Sequence, residues 1–164
     1  MSSSSSNVQL ALSMLEAVTA RSWTHIEKVL ATTIEWSVLP DSLQRPPMVG
    51  IDTVLEGLKS LTGLVQNGSV KVQPIEIIEG AGFVVIHVRL SFPATSTVKL
   101  TNYTKAKTVD TVTLDDPVSS TYEIMFCTFY LGEENGEKKI VRVKDFVDSA
   151  FMQSLAAHLA QNTV

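Results

Sequence analysis

The chain has almost no cysteine, no membrane-length apolar run and no concentrated basic patch, and each absence removes a class of protein. The single cysteine, Cys127, excludes an internal disulfide. With only three scattered histidines, a Cys/His zinc site is not expected, and no metal is. Cys127 sits inside an apolar run and reads as a small buried hydrophobe. No stretch approaches the roughly 20 apolar residues of a membrane helix, so no membrane partner is expected. The opening MSSSSSN lacks the basic and apolar regions of a signal peptide. The glycosylation-like triplets at Asn67 and Asn102 then read as chance, and a cytoplasmic location is expected. The net charge of −4 argues against nucleic acid as a partner, because phosphate binding needs clustered Lys and Arg. The one basic run, Lys138, Lys139, Arg142 and Lys144, alternates along a strand and reads as a solvated face. Walker, dinucleotide, HExxH and GxSxG motifs are all missing, and no cofactor is expected.

What remains is an apolar content of 45% in 164 residues, enough for one real core. Residues 1–7 are expected to be a disordered tail and residues 8–164 a single domain. Val8, Ala11, Leu12, Leu15 and Val18 recur at helical spacing. Thr24 and Glu27 have the spacing of a capping box, with Trp23 placed to staple the entry of a short second helix. From Thr32 to Leu39 the period changes to two, which predicts a strand with Ile34, Trp36 and Val38 on one side. Ile51, Val54, Leu55, Leu58 and Leu61 make a third helix. Strands are predicted over Ser69–Ile78 and Phe83–Phe92, joined by the glycine-rich turn 79–82. Weak strands are permitted at Lys99–Tyr103 and Thr108–Leu114. A last hairpin, Thr121–Leu131 with Lys139–Lys144, turns at Asn135-Gly136. Asp148 is placed to cap a terminal helix. Helices before an antiparallel meander indicate an α+β class. The late strands are apolar on both faces, which requires cover on both. The long segment from Pro93 to Ser119 or a second subunit would supply it, and a homodimer through the sheet is inferred.

The element order resembles the NTF2-like α+β cone, and within it the fungal SnoaL-like branch associated with secondary metabolism. The likeness is carried by residues 84–89 (VVIHVR), 121–124 (TYEI), and most specifically by Gly136 with residues 139–149 (KIVRVKDFVDS). It implies N-terminal helices packed on a curved, mainly antiparallel sheet, a C-terminal helix and a hydrophobic pocket at the open end. It also implies binding of a hydrophobic, oxygenated small molecule. Two functions are compatible with that: a cofactor-free isomerase, cyclase or dehydratase, or a non-catalytic dimeric ligand-binding or scaffold domain. The chain departs from the resemblance at Ser120-Thr121, where related chains often carry Asn-Glu, so one acidic candidate is lost.

Any catalysis is then acid–base work by a few side chains in an apolar pocket, where desolvation raises a carboxyl pKa. Asp145 is the first candidate. Strand alternation groups it with Val141 and Val143, opposite Arg142 and Lys144. Its alternative role is a strand-end group that bonds backbone. Tyr122 can present a hydroxyl, and His87 a base. The continuous apolar face of Val84, Ile86 and Val88 favours the opposite side for His87, in a subunit interface. Trp36, Trp23, Ile34, Val141, Val143 and Phe126 are the expected pocket wall, although each also suits a plain core.

Overall fold

The computed structural model describes residues 5–40, 45–63, 71–91, 99–102, 110–113 and 121–147. Residues 61–63, 71, 90, 91, 99–102, 110–113 and 121–124 are described by their backbone only. The expected terminal helix with its cap at Asp148 lies outside the described residues.

The chain opens with α1 (Ser6–Thr19), a turn, and α2 (Trp23–Val29). α1 starts before the expected boundary at Val8. Ser5 caps it by accepting the Val8 N–H at 3.2 Å, and it ties the helix to the sheet by donating to Glu79 at 2.6 Å. Such a cap is worth about 1 kcal/mol. Met14 and Ala17 are buried and Leu12 and Val18 only half-buried, so the packed stripe is rotated from the one expected. The reason is that α1 touches α2 as well as the sheet. The capping box at Thr24 and Glu27 is not formed. Arg21 adopts a positive φ of 53°, which turns the chain early, and α2 begins at Trp23 with Ser22 in the cap position. Trp23 is therefore a helix residue, half-buried with the Lys59 ammonium 5.7 Å from its ring.

Among the described residues eight strands and one further helix follow: β1 (Leu30–Leu39), β2 (Met48–Val49), α3 (Ile51–Gly63), β3 (Lys71–Gly80), β4 (Phe83–Ser91), β5 (Lys99–Asn102), β6 (Asp110–Thr113), β7 (Thr121–Glu134) and β8 (Glu137–Val147). Six of the strands form one curved, unclosed sheet in the order β2-β1-β8-β7-β4-β3. Among the described strands only the β1–β8 pair is parallel. β5 and β6 form a separate two-stranded ribbon within the segment expected to hold weak strands. The β7–β8 turn is Asn135-Gly136, with positive φ at both residues (54° and 77°), the backbone that a two-residue hairpin loop requires.

Three one-residue bulges and one wider register shift shape the described sheet. The bulged ladders skip Ile75 on β3, Ile124 on β7 and Val141 on β8, and the β1–β8 register shifts between Leu30 and Glu35. A bulge bends and twists the strand that carries it. Pro74 beside the first one lacks a ladder N–H and is tolerated because β3 is an edge strand. The bulge at Val141 also breaks strict alternation along β8. Ile140 and Val143 are both fully buried, while Val141 is half-buried.

Helices α1, α2 and α3 lie on one face of the sheet, hereafter the inner face. The core there joins Val8, Met14, Ile26, Val54 and Leu58 of the helices to Ile34, Val84, Ile86, Phe129 and Val143 of the strands.

Candidate functional site

The site is a row of paired residues across the middle of the inner face. On β1, the alternation of a half-buried strand sends Ile34 and Trp36 inward. On β8 it sends Val143, Asp145 and Val147 inward, with Arg142 and Phe146 outward. The parallel register sets Val38 opposite Asp145 and Trp36 opposite Val143. On the other side of β8, Cys127 of β7 faces Asp145, and Ile86 of β4 faces Cys127. The row is therefore Val38, Asp145, Cys127, Ile86: one carboxyl group in apolar company.

Asp145 is the only buried charged side chain among the described residues, 7% exposed. Its Oδ2 accepts the Trp36 indole N–H at 2.6 Å, and Trp36 is itself buried. Side chains on a strand lean along it, which lets the long indole reach the residue diagonal to it. Oδ1 is buried and accepts no hydrogen bond among the described residues. Burial pushes the Asp145 carboxyl up from 3.8 to about 6, against the pull of the Trp36 N–H and, more weakly, the Cys127 thiol. Burial and the neighbouring carboxylate push the Cys127 thiol up as well, so Cys127 is a protonated thiol rather than a nucleophile at neutral pH. The carboxyl changes its proton near neutrality, which is what acid–base chemistry requires of it.

The other expected residues divide between the two faces. Ile34, Trp36 and Val143 share the inner face with Asp145. Val141 does not share their alternation; its bulge sets it beside Gly132 instead. His87 and Phe126 stand on the outer face. They are cross-strand partners, stacked with ring centroids 4.3 Å apart, and Phe126 pairs in turn with Phe146. Phe126 is 44% exposed, so it is no pocket wall, and the sheet separates His87 from Asp145. The His87–Asp145 pairing considered from sequence is thus not formed. The cause is parity: Ile86 and Val88 are wholly buried, which leaves His87 between them no choice of face. Trp23 lies on α2, apart from the Asp145 row. Tyr122 is paired with Leu90 on the β4–β7 ladder, and its side chain lies outside the described residues. Sequence reasoning treated Cys127 as inert packing. Its place opposite Asp145 depends on the β7–β8 register, and no local signal marks that. Among the described residues no group of three His, Cys, Asp or Glu side chains comes together, and no helix is long and apolar enough to cross a membrane.

No protein-family model and no curated protein sequence matches the chain. Solved structures do. TerC, co-crystallised with polyporic acid, superposes with a TM-score of 0.61 at 18% identity, covering 93% of this chain and 99% of that one. A protein from Shewanella putrefaciens CN-32, assigned as a SnoaL-like polyketide cyclase, gives 0.60 at 12%, covering 95% and 99%. An NTF2-like protein of unknown function from Burkholderia pseudomallei K96243 gives 0.55 at 17%, covering 98% and 100%. At these identities the likeness is one of fold, and the fold is the NTF2-like α+β cone.

The raised carboxyl makes a stability prediction. The folded state holds the Asp145 proton between pH 4 and pH 6, where the unfolded chain has lost it. Stability from this group is therefore full below pH 4 and falls as pH rises to about 6, by about 3 kcal/mol in all. Asp145→Asn removes this dependence. Urea unfolding of both proteins between pH 3.5 and pH 7 should show the wild type losing that amount relative to the variant. Parallel curves would show that Asp145 does not titrate in this window.

Proposed function

We propose that the inner face of the cone binds a hydrophobic, oxygenated small molecule and that Asp145 moves protons on it. The observation that carries the reading is a buried carboxyl on an apolar sheet face with one oxygen bonded to Trp36 and the other bonded to nothing described. Burying such a group is unfavourable for folding, and a cap or strand-end bond would not leave half of it unused. The structural neighbours agree in kind: TerC was crystallised with polyporic acid, and another neighbour is assigned as a polyketide cyclase.

The chemistry that fits is cofactor-free transfer of a proton next to a carbonyl. The ionised carboxylate takes a proton from the carbon. The C–H bonding pair becomes the C=C of an enolate, and the carboxylic acid formed returns the proton to another position. Isomerisation and cyclisation share this first step. Ile34, Val38, Val143 and Ile86 supply the apolar surroundings, and Tyr122 is kept as the candidate assisting hydroxyl. His87, on the outer face, has no part in it.

The outer face supports a second element of the reading, a homodimer. Phe126 and Phe146 lie side by side at 44% and 54% exposure, flanked by His87 and Leu39 on the same row of the sheet. Burying a phenyl ring is worth about 1.5–3 kcal/mol, so a second copy covering this row is favoured. In light scattering at micromolar concentration the wild type should have the mass of a dimer and Phe146→Asp that of a monomer. A monomeric wild type would refute the pairing.

The proton-transfer reading is tested with 2-tetralone, an enolisable aromatic ketone, in D2O. Exchange of its α-hydrogens, followed by NMR, should be faster with the protein than in buffer. Asp145→Asn should lower the enzymatic rate by roughly a hundredfold or more. Binding of the ketone with no acceleration would favour the non-catalytic ligand-binding domain.

A further inference from the structure

We propose that Trp36 is a positioning residue: its indole N–H holds Oδ2 of Asp145 and thereby makes Oδ1 the oxygen that takes and returns the proton. The inference rests on the proton-transfer reading of Asp145 and assigns the roles of its two oxygens.

A free carboxylate rotates, and its oxygens are equivalent. Here they are not. Oδ2 is held by a bond of 2.6 Å to a donor that is itself packed in the core, whereas Oδ1 has no described partner. A bond to a charged acceptor is about twice as strong as a neutral one. The row around the carboxyl contains one other polar group, the Cys127 thiol, which is a weak donor. It makes no bond of acceptable geometry to Oδ1. Val38, Ile86, Val143 and Val147 cannot donate at all. Trp36 supplies the stronger pull on the carboxyl group and the one hydrogen bond of good geometry among these neighbours, so it is the group that makes the two oxygens unequal.

The geometry depends on the parallel β1–β8 register. Trp36 is two residues before Val38, the residue directly opposite Asp145. Its indole therefore comes from one side along the strand and engages one oxygen. A residue at position 38 would meet the carboxyl head-on and could cover both. The Trp36 N–H also has the effect expected of an orienting donor, since it opposes the rise that burial causes in the carboxyl. Held this way, the carboxylate needs no rotation before it accepts a proton, and its reacting oxygen keeps a fixed direction.

The chain contains two tryptophans, which makes the direct test simple. In the wild-type protein the indole Hε1 and Nε1 resonances are followed by NMR from pH 4.5 to pH 8. Trp36 should shift with a midpoint near that of Asp145, about 6, and Trp23 should stay constant. Asp145→Asn should abolish the shift. Two unmoving indoles, or a shift that persists in Asp145→Asn, would overturn the assignment whether or not the protein catalyses anything. Trp36→Phe then tests the role in chemistry. With 2-tetralone the acid limb of the pH–rate profile should move up by roughly one to two units, while Cys127→Ala leaves it within a few tenths. An unmoved limb in Trp36→Phe, with wild-type exchange intact, would sink the positioning role and leave the catalytic role of Asp145 standing.

Discussion

The bond from Trp36 to Asp145 is the constraint on which the rest of this structure turns. It crosses the one parallel seam among the described strands, where the first of them meets the last. It also keeps a carboxyl group in an interior otherwise made of aliphatic, aromatic and sulfur-bearing side chains. Taking a charge out of water costs several kcal/mol after relaxation, and one strong hydrogen bond offsets only part of that. The remainder appears as the rise of the carboxyl toward neutrality. The group is therefore held by the fold in a state that free aspartate does not occupy at the same pH. Energetically the site is an unfavourable burial within an apolar core, and functional groups are commonly found with such perturbed pKa values.

The sheet separates two kinds of apolar surface that the sequence presents together. Inward are Ile34, Trp36, Val84, Ile86, Val88, Phe129 and Val143, packed under the helices. Outward are Phe126, Phe146 and His87, partly exposed and aligned in one row. Bulges bend this sheet, and the one at Val141 decides which residues of β8 reach the inner face. Gly132 stands against that bulge, where a Cβ would lie 2.8 Å from the Val141 side chain. A small residue there lets the bulge form without pressing on the strand that carries Asp145.

Much of the fold was legible because periodicity and turn chemistry are local. The strand at Trp36, the helix at Val54 and Leu58, and the hairpin at Asn135-Gly136 each follow from residues close in sequence. The early start of α1 was less visible, since Ser5 looked like one more serine of a low-complexity run. Its role depends on Glu79, far along the chain. The failed capping box at Thr24 shows the same limit, because the positive φ at Arg21 starts the helix before the box can act. Alternation along β8 indicated the inward placement of Asp145 from Val143 onward and misplaced Val141, because one inserted residue reverses parity. Phe126 was placed on the wrong face for want of the ladder register. The Trp36–Asp145 contact had no sequence signal: two residues on the chain's first and last described strands meet only because those strands pair in parallel. The β7–β8 register that brings in Cys127 is likewise a property of the folded sheet.

The central claim is that the fold holds Asp145 as a carboxyl group that exchanges its proton near neutrality, on the inner face and against Trp36. The most direct measurement is the 13C resonance of the Asp145 carboxyl carbon, assigned by its loss in Asp145→Asn and followed across pH in the wild-type protein. A midpoint near 6 is the predicted result. A midpoint at or below the 3.8 of an ordinary aspartate would place the group in water or in a salt bridge and contradict the account.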